Sequence, residues 1–453
     1  MRTKILPCFC LLLAISSFSQ DTPFQLKDFK YRTTGYKTLD LSTSFGAGVT
    51  DNKGPQTVKG KSFQLFPTSF SYNKIKSTDQ KLCTSTFLLS SDYNFYSNTD
   101  SSFDNKYHSG NANISWQLNN RFFKENNWYW QLSNMLSSRG TLNEQNDIEN
   151  TSIDISNYLV LGVGKGRIEM VQDAQMALFI LSDLRKQGLI SNIPDAKTVN
   201  RFAQLITAVN SRRLLDFRRK RIYELTQIDS FLRESGIAIS TDIRHFTVVN
   251  DNWAFGFNPL RSTGSDCFFR IVPMAEIIRV KNEYGLGSRD RGMISDFGVR
   301  PELGFENYKP INLKWQRNMG SAFSLSYRYN TIRSVSTFNG ITSERKDSGN
   351  IFETRFYFFY EVGYYPNNRT RVNSNFTVIA SYFPYDKTSA KHEISIHPAL
   401  NFSTDYFISY RTRISAYFIA DYEHTHIKYV GPGQDKMHNL YANFSIGLAH
   451  AFL

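Results

Sequence analysis

The sequence is poor in cysteine. There are 4 in 453 residues. Cys8 and Cys10 lie at the very start, leaving Cys83 and Cys267 for the rest. Two cysteines this far apart make no disulfide framework and no zinc site, and are expected as free thiols. Long apolar runs are missing too. Beyond the first twenty residues none reaches the roughly 18 that a spanning helix requires, which excludes a helical membrane protein. With 13 Pro and 26 Gly, collagen-like repeats are excluded. Tryptophan is scarce at 5, yet 37 Phe and 25 Tyr bring the aromatics to 15%. That load excludes a low-aromatic disordered chain. Acidic residues are in deficit, 40 against 53 Lys and Arg, for a formal charge of +13.

The first twenty residues read as a signal peptide. Arg2 and Lys4 precede an apolar stretch from Ile5 to Ile15, and Ser16, Ser17 and Ser19 supply small residues for cleavage. Losing this leader removes two cations and leaves about +11. Lipidation at Cys8 or Cys10 is disfavoured, because Pro7 and Phe9 are not the small residues that should precede a lipidated cysteine.

Three stretches follow. From 36 to 163 the pattern has period two. Leu39, Leu41, Phe45, Ala47 and Val49 share one face, and Asp40, Ser42, Ser44, Gly46 and Gly48 the other. Six strands are expected here. From 164 to 266 the period changes. Val171, Ala174, Leu178, Leu181 and Leu184 recur at three and four, as do Phe202, Leu205, Ile206 and Val209. Leu215, Ile222, Leu225, Ile228 and Leu232 repeat the pattern. Gly188 and Gly236 sit where helices should end, and Asp195 where one should begin. From 267 to 453 period two returns for about eight strands. Turns are expected at Pro366–Arg369 and Thr404–Asp405. The last segment puts Leu440, Ala442, Phe444, Ile446, Leu448 and Phe452 on one face.

A signal peptide followed by long amphipathic strands, rich in Tyr and Phe and ending near an aromatic, resembles the outer-membrane β-barrel proteins of Gram-negative bacteria. The match is to the class and covers 36–163 and 267–453. It implies a mainly β chain: an antiparallel transmembrane β-barrel of about 14 strands, with 12 to 16 compatible, carrying an inserted periplasmic α-helical domain. Lipid outside and water inside would impose the alternation, and closure would satisfy the strand edges. Phe452 is penultimate rather than last, a departure from the terminal strand of the class. An even strand count puts the helical stretch in the periplasm. Long outer connections are then expected at about 335–349, 383–391 and 423–436. A soluble β-sandwich would also alternate, but its strands are usually shorter.

Several residue groups carry possible chemistry. Arg212, Arg213, Arg218, Arg219, Lys220 and Arg221 crowd one helical run and suit an anionic glycan, lipid headgroups or an acidic protein surface. The spacings Arg212–Asp216, Asp216–Lys220 and Lys220–Glu224 equally suit a charge-paired solvated face. Gly162, Gly164, Lys165, Gly166 and Arg167 follow a strand and precede a helix, yet no Walker pattern is present. These glycines are expected to form the exit from the sheet, with Lys165 and Arg167 near headgroups. Arg328, Arg355, Arg411 and Arg413 are candidate lumen cations. His424 and His426, with His438 nearby, could share a face as weak metal ligands; no cofactor is expected. Tyr107-His108-Ser109 brings lipase-like residue types together, but adjacent strand residues face apart.

The expected function is a porin-like conduit or gated channel with a helical plug or docking domain. A non-conducting anchor or scaffold of an envelope assembly is the alternative, and a lipid hydrolase a second one. The expected partners are outer-membrane lipid and a periplasmic protein or anionic glycan. Nucleic acid is not expected for an exported chain.

Overall fold

A computed structural model describes residues 24–52, 58–99, 104–145, 148–212, 217–237, 242–255, 261–284, 288–384, 391–409, 412–429 and 434–450. The proposed leader, Arg213 and Arg411 lie outside the described residues. Six long strands come first: β1 (Thr33–Asn52), β2 (Val58–Ser77), β3 (Lys81–Thr99), β4 (Asp104–Phe123), β5 (Trp128–Gln145) and β6 (Ile148–Gly166). The two-residue β7 (Glu169–Met170) leads to four helices: α1 (Gln172–Lys186), α2 (Ala196–Ser211), α3 (Phe217–Glu234) and α4 (Ile243–Phe255). Eight long strands complete the chain: β8 (Ser262–Tyr284), β9 (Ser288–Pro310), β10 (Trp315–Phe338), β11 (Ile341–Asn367), β12 (Thr370–Phe383), β13 (Lys391–Ser409), β14 (Thr412–Tyr429) and β15 (Gln434–His450).

The long strands form one antiparallel sheet in which each pairs with its sequence neighbours, β6 pairing directly with β8 across the helical insertion. No ladder joins β1 to β15 among the described residues. Alternation separates two faces. One carries an exposed apolar band: Leu161, Phe269, Phe297, Leu325 and Tyr327 belong to it. The opposite face carries buried polar groups such as Arg121, Asp266 and Asp296. On it, aromatic rings lie over glycines. A Cβ on Gly304 would stand 2.2 Å from the Phe268 ring, and one on Gly320 2.5 Å from Phe359.

The helices form a compact bundle at the end of the sheet where the 78–80, 311–314 and 368–369 turns lie. Val171, Ala174, Leu178, Leu181 and Leu184 are fully buried in it, so the three-and-four spacing sets its core. The Asp195 carboxylate caps α2 by accepting the Thr198 N–H at 3.2 Å. Gly188 and Gly236 end α1 and α3 with φ of +70° and +63°.

The bundle constrains the shape of the sheet. The Ser211 and Thr33 hydroxyls meet at 2.9 Å, which ties α2 to β1. Asn368 donates to Asn252 at 2.8 Å, and the Phe255 and Phe407 rings lie 6.1 Å apart, which ties α4 to the β11–β12 turn and to β13. A flat sheet would place β1 and β13 about 50 Å apart. The longest helix, α3, has 18 residues and measures only about 27 Å. The ties to one bundle therefore require the sheet to curve.

Three local expectations need correction. The Thr404–Asp405 turn does not exist. β13 runs through it to Ser409, because Asp405 accepts from Ser415 at 2.7 Å and from Arg371 across both neighbouring strands. The 335–349 connection is not a long loop but a continuous ladder with a tight turn at Asn339-Gly340, whose φ values are +47° and +75°. Cross-strand pairs keep it zipped, including Arg333–Glu344 at 2.7 Å. Likewise 423–429 and 434–436 are strand; 385–390 and 430–433 lie outside the described residues. Finally, Gly162 and Gly164 do not form the exit from the sheet. They lie within β6 and leave room for neighbours, since a Cβ on Gly164 would stand 2.4 Å from the Tyr129 ring. Only Gly166, with φ of +127°, marks the departure.

Candidate functional site: the inner face and its helical cap

The inner face is built by strand parity. On β4 the outward positions include Ile114 and Trp116, so Gln117, Asn119 and Arg121 point inward. On β8 the outward Phe269 and Ile271 leave Asp266, Phe268 and Arg270 inward. Arg121 and Asp266 pair at 2.8 Å, and the Tyr129 hydroxyl donates to the same carboxylate at 2.7 Å. Asp266 is fully buried, so this pair must be hydrogen-bonded to be tolerated. The ladder continues through Gln131, which donates to Asn119 at 3.2 Å and accepts from Arg270 at 3.2 Å. Arg270 and Arg300 approach Glu302 at 3.6 and 4.0 Å. Arg121, Asn119, Gln131, Arg270, Arg300 and Glu302 border an inner cavity of about 510 Å³. The trio Arg121, Tyr129 and Asp266 comes from three strands with no local motif, and sequence reading missed it.

The candidate lumen cations separate. Arg328 points inward between Asp296 at 3.2 Å and Glu353 at 3.6 Å. Arg355 has the inward parity of its partner Ser324 and is exposed. Arg413 sits at the turn end of β14, inward, 3.8 Å from Asp405.

The cationic run is not one helix. α2 ends at Ser211 and Arg212 is extended, with φ −79° and ψ 132°. Arg212 stacks 4.3 Å over the Tyr223 ring. With Lys220 it borders a cavity of about 520 Å³ shared with Tyr36, Asp40 and Tyr72 of the first two strands. Arg218 and Arg219 are exposed. Arg221 faces elsewhere, 3.8 Å from Glu224, the same distance as Lys220.

Lys165 and Arg167 also part company. Lys165 is exposed on the outward face, 5.7 Å over the Trp128 ring. Arg167 is a buried anchor, paired with Glu169 at 2.8 Å and donating to the Ser77 hydroxyl and the Asp79 carbonyl at 3.0 Å each. Arg32 joins it, 2.7 Å from both Asp79 and Glu169, and holds the Asp79 carboxyl below the usual range.

A second anchor was not visible in the sequence. Arg261, just before β8, is 1% exposed and donates to the carbonyls of Asn312, Leu313 and Trp315 and to Gln316. Burial pushes its guanidinium down to about 10, still protonated at neutral pH. In α1, Asp173 is buried and accepts from Thr207 at 2.7 Å and Asn210 at 3.3 Å. Burial outweighs those bonds and raises its carboxyl to about 6.

His424 and His426 lie on β14 itself, not in a loop, and share its outward face with Ile396 and Ile394 across the ladder. His424 meets His438 at 3.1 Å, and Tyr422 meets the same ring at 2.8 Å. No group of metal-ligating side chains occurs among the described residues. His108 faces outward with its Nδ1 2.7 Å from the Tyr93 hydroxyl, whereas Ser109 is buried on the inner face, so the two cannot act together.

No protein-family profile matches the sequence, and no curated protein matches it. Among solved structures, the chain is similar to the ferric yersiniabactin uptake receptor FyuA of Yersinia pestis, at 8% identity and a TM-score of 0.31, over 90% of this chain and 62% of that one. The chain thus spans less than two thirds of that receptor. It is similar to the TodX monoaromatic hydrocarbon channel at 9% identity and a TM-score of 0.29, over 95% and 93%. It is similar to the alcaligin outer membrane receptor FauA of Bordetella pertussis at 6% identity and a TM-score of 0.25, over 90% and 70%. These neighbours are outer-membrane β-barrel proteins, the class that the sequence resembles. At such identities and TM-scores they say nothing of what this chain carries.

Proposed function

We propose that the sheet closes into an outer-membrane β-barrel, that its inner face is a water-filled conduit for small anionic solutes or glycans, and that the helical bundle plugs it from the periplasmic side. One observation carries this reading. A polar inner wall with ion-paired cations stands behind an apolar outer band, and the bundle is fastened across the turns at one end. Such an arrangement fits lipid outside and water inside. About 14 strands enclose a lumen wide enough for small solutes unless obstructed.

The test is planar-bilayer conductance of the refolded chain, intact and with residues 171–260 replaced by a short Gly-Ser linker. A plug predicts small or no steps from the intact protein and larger, anion-selective steps after deletion. Silence from both, with folding confirmed by heat-shifted gel mobility, would exclude conduction. A docking role would then be favoured by the cavity of about 360 Å³ on α3 and α4, where Ile222 and Phe246 are exposed.

A further inference from the structure

The outer face changes character towards the end of the sheet away from the helices. From β6 to β11 the register is unbroken in parity, so outward positions can be followed row by row. On β10 the exposed outward residues run Phe323, Leu325, Tyr327, Tyr329. Thr331 and then Arg333 follow. On β8 Arg279 is the next outward position after Ile277. The row through Arg333 reads Ile153, Arg279, Met293, Arg333, Lys346 across five strands. The row beyond it contains Lys281 and Arg291. Five cations thus replace the apolar band within two rows. Two are neutralised, Lys281 by Glu283 at 2.9 Å and Arg333 by Glu344 at 2.7 Å. Arg279, Arg291 and Lys346 have no ion-pair partner among the described residues.

The patch is concave. Arg279, Lys281, Arg291 and Arg333 border a cavity of about 590 Å³ with Ile153 and Met293, and no carboxylate borders it. Cations at the rim and apolar side chains below suit an amphiphile with an anionic head. Guanidinium forks match phosphate oxygens in pairs. A soluble anion would have no use for the apolar floor, which runs on into Ile155 and Phe297 of the exposed band. The position, just past the Tyr327 and Tyr329 belt, is the level of lipid headgroups.

We infer that this cavity binds the phosphorylated head group of an outer-leaflet lipid, with the lipid chains descending over Ile155 and Phe297. The inference rests on the outer-membrane reading proposed above. It names a site on the lipid-facing wall, separate from the inner face.

The test uses the refolded full-length chain and counts retained lipid by native mass spectrometry. The probe is an acylated, bis-phosphorylated glucosamine disaccharide, compared with its dephosphorylated form. The native protein should favour the phosphorylated lipid by about a hundredfold, since each headgroup-level cation contributes to anionic lipid binding. The triple substitution Arg279→Gln, Arg291→Gln and Arg333→Gln should abolish that preference while heat-shifted mobility persists. Should the triple variant not fold, Arg291→Gln alone should reduce the preference measurably. Inorganic phosphate should not displace the lipid. Equal retention of both lipids by the native protein, an unchanged preference in the folded variants, or full displacement by inorganic phosphate would each overturn the site. Protein that does not insert into bilayers at all would instead overturn the outer-membrane reading.

Discussion

Asp173 is a carboxylate placed where solvent cannot reach it, between α1 and α2, with Thr207 and Asn210 as its side-chain donors among the described residues. Its ionisation is disfavoured in the folded bundle, where its carboxyl titrates at about 6, against an ordinary 3.8. The folded state therefore holds a proton that the unfolded chain has released between these two values. That contribution is full below about pH 4 and is lost as pH rises to about 6. Asp195 and Asp242 are shifted the opposite way, by hydrogen bonds to Thr198 and Arg244, so the net profile of the bundle mixes both signs. The difference between the native chain and Asp173→Asn isolates the one residue. Helix melting followed by circular dichroism should show the variant gaining on the native protein from pH 4 to 6, then a constant advantage to pH 8. Parallel profiles would mean that Asp173 is not buried as described. At the same scale, Arg121 with Asp266 and Arg328 with Asp296 show how the inner wall tolerates charge: each of these two cations has a carboxylate within hydrogen-bond reach.

At the scale of elements, the strands owe their inner packing to rings seated over glycines. Gly304 of β9 leaves space for Phe268 of β8, which is 4% exposed. Gly304→Ala should destabilise the folded form by about 1–3 kcal/mol through overpacking. Combining it with Phe268→Ala should cost less than the sum of the two single changes. Urea unfolding followed by gel mobility reads both, and strict additivity would remove the proposed contact. These elements were readable to very different degrees in the sequence. Period two marked six strands before the helices and about eight after them, because apolar and polar positions alternate over many residues. The three-and-four spacing located α1 to α3, with their caps at Asp195, Gly188 and Gly236, whereas α4 falls in the less regular stretch after Ile237 and was not marked as a helix. Thr404-Asp405 misled, because local turn chemistry loses to the bonds that Asp405 makes with β12 and β14. The outer ladder beyond residue 335 was hidden because polar strand residues there look like loop; Arg333–Glu344 and Thr337–Thr342 hold it only once the register is known. Arg328 stood among four candidate cations, and its pairing with Asp296 appears only once the strands are side by side. Arg121, Tyr129, Arg261 and Asp266 were not legible, since they meet only when distant segments are brought side by side.

The whole molecule turns on closure. β1 and β15 are the sheet's two edges, and both present exposed apolar rows: Leu39 and Leu41 on one, Phe444, Ile446 and Leu448 on the other. Neither edge is paired among the described residues; an exposed edge of this length is a template for association in water and untenable in lipid. The bundle already holds β1 and β13 within its own span, so the two edges are brought towards each other. Closure would place β1 antiparallel to β15 and complete a wall with polar groups within and apolar groups without. The most direct measurement is cysteine cross-linking across that seam in refolded, bilayer-inserted protein. Cys83 and Cys267 are first replaced by serine. Leu39→Cys or Leu41→Cys is then combined in turn with Phe444→Cys, Ile446→Cys and Leu448→Cys. A closed barrel predicts that at least one pair forms an intramolecular disulfide in high yield, while a control pair on β1 and β8 does not. If every seam pair stays reduced under oxidation, although each thiol accepts a maleimide, the sheet is open and the conduit it is proposed to form does not exist.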